Sequence, residues 1–243
     1  MIPPDHPRYR SLMVRERLAR CAEEGVLSLE GLAAHGRGEA FDYLIGERTT
    51  WSAREAEKSA AALLLVAKRP VISVNGNTAA LASGSIALLQ QASNAAVEVN
   101  LFHRTDERVR KITSLLEKHG VQVLNGEAER LLPLSHDRAL CLREGIGSSD
   151  VVLVPLEDGD RCQALVNMGK TVIAIDLNPL SRTARYATLT IVDEVTRALP
   201  LIARFCRELT MDEAQRLSTG YNNRELLRSA IREIHSRLDH ALD

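Results

Sequence analysis

The chain has 243 residues, 45% hydrophobic but only 3% aromatic, with 31 Lys and Arg against 32 Asp and Glu. That is enough aliphatic material for one α/β domain with a small appendage, and the balanced charge argues against broad nucleic-acid binding, which rests on a cationic surplus. No apolar run reaches the ~20 residues of a membrane-spanning helix, the opening residues do not read as a secretory leader, and Cys21, Cys141, Cys162 and Cys206 form no C-x-x-C pair, so the expectation is a cytoplasmic protein with reduced, packed thiols and no membrane or nucleic-acid partner.

The first quarter of the chain reads as helices. From Asp5 to Gly25 there is a capping acid, Pro7 for the first turn and a stopping glycine, and the segment carries Arg8, Arg10, Arg15, Arg17 and Arg20. A second helix is expected from near Ser28. It runs into AHGRGEAFDYLIGERTT (34–50), where Gly36 and Gly38 flank Arg37 beside His35. Two glycines let the backbone bend or approach a ligand, and a cation between them suits an anion; a plain helix kink accounts for the same residues. A short helical stripe, Phe41, Leu44 and Ile45, stops at Gly46, and Ser52 is expected to cap a long helix to Lys68.

Six short β-prone runs follow: 70–74, 96–102, 121–124, 151–156, 171–175 and 189–192. Helical patterns lie between most of them, at Thr78–Ser93, Thr105–His119, Arg161–Met168 and Asp193–Leu209, while 125–149 is irregular. Strands joined by crossovers of this length predict an α/β fold: a doubly wound, mainly parallel six-stranded sheet, with the N-terminal helices of about residues 1–68 packed beside it. Residues 1–209 then form one domain. Residues 210–243 form a C-terminal helical extension, with Leu227, Ile231, Ile234 and Leu238 as its docking stripe.

In such sheets ligands bind beyond the carboxyl ends of the strands. Those ends carry Asn75, Gly76 and Asn77; His103 and Arg104; Asp158, Asp160 and Arg161; and Asp176, Leu177 and Asn178. After Asn178, Pro179 is placed to start a short helix bearing Arg182, Thr183 and Arg185. An acid and an amide suit a nucleoside, and guanidinium forks suit phosphate. Asp158 and Asp160 suit Mg²⁺ and equally suit capping the helix at Arg161. His103 suits a base and equally a hydrogen-bonded bystander. Gly169-Lys170-Thr171 imitates a phosphate loop but precedes a strand, and no G-x-G-x-x-G, G-x-S-x-G or H-E-x-x-H occurs. A nicotinamide oxidoreductase is therefore disfavoured. A nucleotide-using enzyme without a covalent nucleophile and a regulator that binds ATP and leaves it intact both stay open.

The blocks AHGRGEAFDYLIGERT, VISVNGN, NLFHRT, VVLVPLEDGDR and DLNPLSRTAR, in this order and spacing, resemble the archaeal phosphopantothenate synthetase (4-phosphopantoate–β-alanine ligase) family over about residues 3–209. The resemblance implies a Rossmann-like homodimer of coenzyme A biosynthesis. It would condense 4-phosphopantoate with β-alanine using ATP and Mg²⁺, through a phosphopantoyl adenylate, releasing AMP and pyrophosphate. It implies an ATP site from Arg15, Arg37, Asp176, Leu177, Asn178, Arg182, Thr183, Glu194 and Val195. It makes Asn75, Gly76, Asn77, His103 and Arg104 candidates for the phosphopantoate pocket. Asp158, Asp160 and Arg161 remain candidates for catalysis, and the metal ligands and the base for the amine stay open.

Overall fold

The computed structural model describes residues 3–6 and 8–241, with the Arg10 side chain excepted; the expectation for Pro7 lies outside the described residues. The chain opens with three helices, α1 (Tyr9–Glu23), α2 (Leu29–Ile45) and α3 (Trp51–Val66). Strand β1 (Pro70–Val74), helix α4 (Gly76–Ser93), strand β2 (Ala96–Val99) and helix α5 (Asp106–Lys118) follow. A two-residue hairpin, β3 (Glu129–Arg130) and β4 (Leu140–Cys141), interrupts the pattern. The chain then runs through β5 (Val151–Pro155), α6 (Gly159–Asn167), β6 (Thr171–Ile175), α7 (Arg182–Tyr186) and β7 (Leu189–Ile191). It ends in α8 (Val195–Glu208), α9 (Met211–Leu217) and α10 (Asn223–Asp239).

The main sheet is parallel throughout, with five strands in the order β2-β1-β5-β6-β7. The sixth expected strand, 121–124, is reduced to one parallel bridge from Val97 to Val123 at the outer edge of β2. The Gln90 side chain explains why: it takes both the N–H and the carbonyl of Gln122 at 2.8 Å, so the ladder cannot extend through that residue. Counting the bridge, the six runs lie in the order third, second, first, fourth, fifth, sixth. Connections therefore turn to opposite sides between β1 and β5, which is the switch point where such sheets open a crevice.

Alternate strand residues bury on opposite faces. Ile72, Val74, Val97, Leu153, Ile173 and Ile175 pack with α1, α3, α4, α5 and α8. Val71, Val152, Val154, Val172 and Ala174 pack with α6 and with Leu132, Cys141 and Ile146 of the long connection. A third cluster unites Ile45, Leu177, Ala184 and Val192 with Leu227 and Ala230 of α10. All four cysteines are buried free thiols, and burial raises Cys141 to about 11 and Cys162 and Cys206 to about 12.

Helix starts differ from expectation where a neighbouring residue offers the better-placed oxygen. Thr50, not Ser52, caps α3 by accepting from the Ala53 N–H at 3.2 Å. Asn75 caps α4, which therefore begins at Gly76. Ser181 caps α7, leaving Pro179 in the turn before it, and Glu194 rather than Asp193 caps α8. Asp5 does not cap α1, whose first residue is Tyr9. Thr105 and Asn222 cap α5 and α10 as expected. Gly36 and Gly38 cause no bend, since α2 is continuous through both. Of the α10 stripe only Leu227 is buried; Leu238 is 57% exposed.

Candidate functional site

The switch point is riveted by Asn75. Its Nδ2 donates to the carbonyls of Pro155 and Leu156, both at 3.0 Å, and its Oδ1 accepts from the Thr78 N–H and hydroxyl, also at 3.0 Å. The side chain is thereby used up joining the ends of β1 and β5; what it leaves free is the N-terminal turn of α4. Leu156 takes a left-handed φ of 54°, rare for a bulky residue and a common mark of a ligand-binding turn. Gly76 is required by a close approach: a Cβ there would lie 2.7 Å from the Val26 carbonyl. Asn77 is only 9% exposed; its Nδ2 donates to the Gly31 carbonyl at 3.1 Å, and its Oδ1 is buried with no partner.

On one side of this crevice the residues expected to hold ATP gather around the end of β6. Asp176 accepts from the Asn178 N–H at 2.9 Å and from the Ser181 hydroxyl, which folds residues 176–181 into a compact turn. Burial pushes the Asp176 carboxyl above its ordinary range; the Ser181 hydroxyl, the Asn178 N–H and the charge of Arg37 pull it back. Arg37 reaches this position because α2 crosses over the turn, close enough that a Cβ on Gly38 would lie 3.6 Å from Leu177 Cδ1. Gly38 thus serves helix packing, and Arg37 stands exposed beside it. Arg15 is tied to the same helix by a bidentate pair with Glu39, at 2.9 and 3.0 Å.

Arg182 and Thr183 form the first turn of α7, pressed onto the start of α6. A Cβ on Gly159 would stand 2.5 Å from Arg182 Cβ, so any larger residue there would push the two apart. The Thr183 hydroxyl donates to the Glu157 carbonyl at 2.7 Å, and Arg182 pairs with Asp160 at 2.6 Å. Glu194 and Val195 begin α8. The Glu194 carboxylate accepts from the Thr196 N–H at 2.7 Å and from its hydroxyl, and the Val195 side chain is core, so both side chains are committed to the start of α8.

On the other side, His103 and Arg104 lie beyond β2. Arg104 donates to the Val99 carbonyl at 3.4 Å, and its N–H to Asp137 at 3.1 Å. Sequence reasoning missed Arg138, which lies in the stretch read as irregular. It is 5% exposed and joins the end of β2 to the end of β5: its guanidinium donates to the Asn100 carbonyl at 3.0 Å, to Glu157 at 3.3 Å and to Asp158 at 3.2 Å. Asp158 is thus ion-paired and does not cap α6. Arg161 is completely buried and pairs with Glu157 and the Ser73 hydroxyl, beneath the crevice rather than on it. Burial works against the Glu157 carboxylate, but Arg138 and Arg161 outweigh it and hold it below the usual range.

A second buried charge group, also missed, links α2 to α8. Arg197 donates to Asp42 at 2.5 and 3.0 Å and to Asp193 at 2.8 Å, while Asp193 also accepts from the Thr49 hydroxyl at 2.6 Å. Glu57 of α3 is fully buried, facing Asp193 with Arg197 and Arg54 nearby. Burial first, then the Asp193 charge, raises it to about 10, so it is folded as a neutral acid. The unfolded chain ionises Glu57 near the ordinary glutamate value of 4.5. Its contribution is therefore complete below that pH and is lost progressively as pH rises toward 10. Glu57→Gln is expected to flatten this loss, so the variant should gain thermal midpoint relative to wild type between pH 5 and pH 9. Parallel melting curves across that range would refute the assignment.

Among the described residues no three His, Cys, Asp or Glu side chains cluster as a metal site. Asp158 and Asp160 are each committed to an arginine. These residues do not form a protein cage for Mg²⁺.

Two polar regions, one built on a strand-end acid with arginines and one at the start of α4 with cations, flank the switch point of a doubly wound parallel sheet, which makes this an α/β protein of the Rossmann-like class with a crevice at the carboxyl ends of its strands. The comparisons narrow the class. A profile described as phosphopantothenate/pantothenate synthetase matches residues 52–237, reaching into α10. A protein of Methanospirillum hungatei named 4-phosphopantoate–beta-alanine ligase is 62% identical over 243 residues, covering all of both chains. Proteins with the same name from Methanosarcina mazei and Thermococcus kodakarensis are 54% and 48% identical, each over 98% of this chain and over 95% and 93% of their own. The chain belongs to the phosphopantothenate/pantothenate synthetase family.

Proposed function

We propose that this protein is a 4-phosphopantoate–β-alanine ligase that activates its acid as an adenylate. The observation that carries the reading is the 62% identity over the entire chain to a protein of that name. The geometry supports it, because two sites for anionic ligands flank a single crevice. ATP lies against Arg37, the Asp176–Asn178 turn, the first turn of α7 and the main chain at Glu194 and Val195, with Arg15 reaching it from α1. Phosphopantoate lies against the N-terminal turn of α4 and the residues after β2. This order places the acid's carboxylate and the α-phosphate of ATP toward each other across the end of β1.

In the first step a carboxylate oxygen attacks the α-phosphorus and pyrophosphate leaves with the P–O bonding electrons. In the second the β-alanine amine attacks the acyl carbon of the mixed anhydride, AMP leaves, and the amine nitrogen loses its proton. Neither step needs a nucleophilic side chain, and burial leaves the thiols protonated and inert. The protein's contribution is orientation, together with guanidinium and backbone donors placed where charge develops on phosphate oxygens. A Mg²⁺ ion bound with the nucleotide would supply further neutralisation of phosphate charge, held by the phosphates more than by these side chains. The same reading makes the protein a cytoplasmic homodimer. It makes residues 1–209 the ligase domain and the remaining helices a brace, supported by Asn223, which accepts from the Thr190 N–H at 2.7 Å and donates to the Ala184 and Ala187 carbonyls at 3.2 Å.

The test is the nucleotide product. ATP with phosphopantoate alone should support exchange of labelled pyrophosphate into ATP, and adding β-alanine should release AMP in step with phosphopantothenate. ADP with orthophosphate would refute the adenylate. ATP left intact in every combination would refute the ligase.

A further inference from the structure

We infer that Arg108 reads the phosphate of the acid substrate and sets the preference for the phosphorylated acid; the inference rests on the ligase reading above. Arg108 lies in the first turn of α5, yet its guanidinium folds back over the start of α4. Nη1 donates to the His103 carbonyl at 2.6 Å and Nη2 to the Val26 carbonyl at 3.4 Å. A Cβ on Gly76 would lie 3.5 Å from Nη2, so the cation sits directly against the first helical residue of α4. That residue's missing side chain keeps the approach open.

Like Arg37 and Arg104, Arg108 makes no ion pair among the described residues; what sets it apart is its seat between two carbonyls, directly against Gly76. Arg15, Arg138, Arg161, Arg182 and Arg197 each pair with a carboxylate. Arg108 is partly buried and, among the described residues, its hydrogen-bond partners are two neutral carbonyls. Burial disfavours its charge, Glu30 offsets this at a distance, and the charge of Arg138 adds to the cost. A partly desolvated cation held by carbonyls is an incomplete site for an anion with several acceptor oxygens. A phosphate group supplies them.

The neighbouring Asn77 adds an independent requirement. It is nine-tenths buried, and its Oδ1 has no donor. An unpaired buried acceptor costs about 1–3 kcal/mol, which a ligand hydroxyl removes. Phosphopantoate carries both groups, a terminal phosphate and a free hydroxyl beside its carboxylate. Arg108 on the phosphate and Asn77 on the hydroxyl would orient the carboxylate toward the nucleotide half of the crevice.

The experiment compares wild type with Arg108→Met and Arg108→Lys in the complete reaction. KM is measured for phosphopantoate and for ATP, and unphosphorylated pantoate is tried as an alternative acid. Arg108→Met should raise KM for phosphopantoate by about 10²-fold or more, because a site built to hold a charged group is left empty of its partner. KM for ATP should stay at the wild-type value, and any use of pantoate should be unaffected. Lysine keeps the charge without the fork, so it should fall between the two. Since Arg108 also ties two carbonyls, the methionine variant has a route to misfolding; the lysine variant then decides, through its KM for phosphopantoate against its KM for ATP. An unchanged KM for phosphopantoate, or equal rises for both substrates, would overturn the assignment while leaving the ligase standing. A wild-type protein that leaves ATP intact would overturn both.

Discussion

Replacing Arg37 with alanine is expected to lower ATP-dependent turnover about 10²–10³-fold, the usual cost of removing one donor aimed at a developing oxyanion. The thermal midpoint should not move. Arg37 is exposed on the face of α2 that crosses the β6 turn, and among the described residues its guanidinium makes no hydrogen bond or ion pair, so the fold loses no bonded contact when it goes. Its visible influence is electrostatic, lowering a carboxyl at Asp176 that burial raises. A guanidinium free of hydrogen bonds beside a strand-end acid is placed to reach a phosphate chain, and lysine should rescue poorly because it lacks the planar fork. Steady-state kinetics in ATP with a parallel melting curve decide the matter. Wild-type turnover in the alanine variant would remove Arg37 from the site.

Replacing Arg197 with methionine should have the largest effect on stability, about 3–5 kcal/mol, because removing one partner of a buried ion group leaves the others as uncompensated charges. Here the stranded groups are Asp42, 8% exposed, and Asp193, 1% exposed, with Glu57 at 0% already forced to stay neutral beside them. For a chain of this size each kcal/mol corresponds to roughly 2–4 °C, so the midpoint should fall by roughly 6–20 °C. The loss should also reach the site. Arg197 ties α2, which carries Arg37, to the start of α8, where Glu194 and Val195 lie. KM for ATP should therefore rise in whatever variant protein stays folded. Adding Asp42→Asn to Arg197→Met should recover part of the stability, since the two residues are coupled and their effects cannot simply add. A midpoint within a degree or two of wild type would show that the network carries little weight.

The parts of this protein legible in the sequence are those whose cause is local. β-branched runs such as Thr171–Ile175 form strands because their side chains suit a pleated, buried surface. Thr105 and Asn222 cap helices because the oxygen and the N–H it serves are three residues apart. Parallel pairing followed from the crossover lengths, and with it the edge on which Asp176, His103 and Asn77 had to lie. The same local rule failed where two candidate oxygens adjoin, at Thr50 with Ser52 and at Asp193 with Glu194. There the tertiary partner chose: Asp193 is claimed by Arg197 and Thr49, so capping passes to Glu194. The run 121–124 reads as a strand from its residues and is stopped by Gln90, 32 positions from Gln122 in sequence. The charge groups are the furthest from legible. Arg197 meets Asp42 across 155 positions, Arg138 meets Asp158 across 20 inside a stretch with no periodicity, and Arg108 reaches Val26 across 82. No spacing rule connects such residues, because a long guanidinium side chain finds its partner only after the sheet and helices have set where each end of the chain passes.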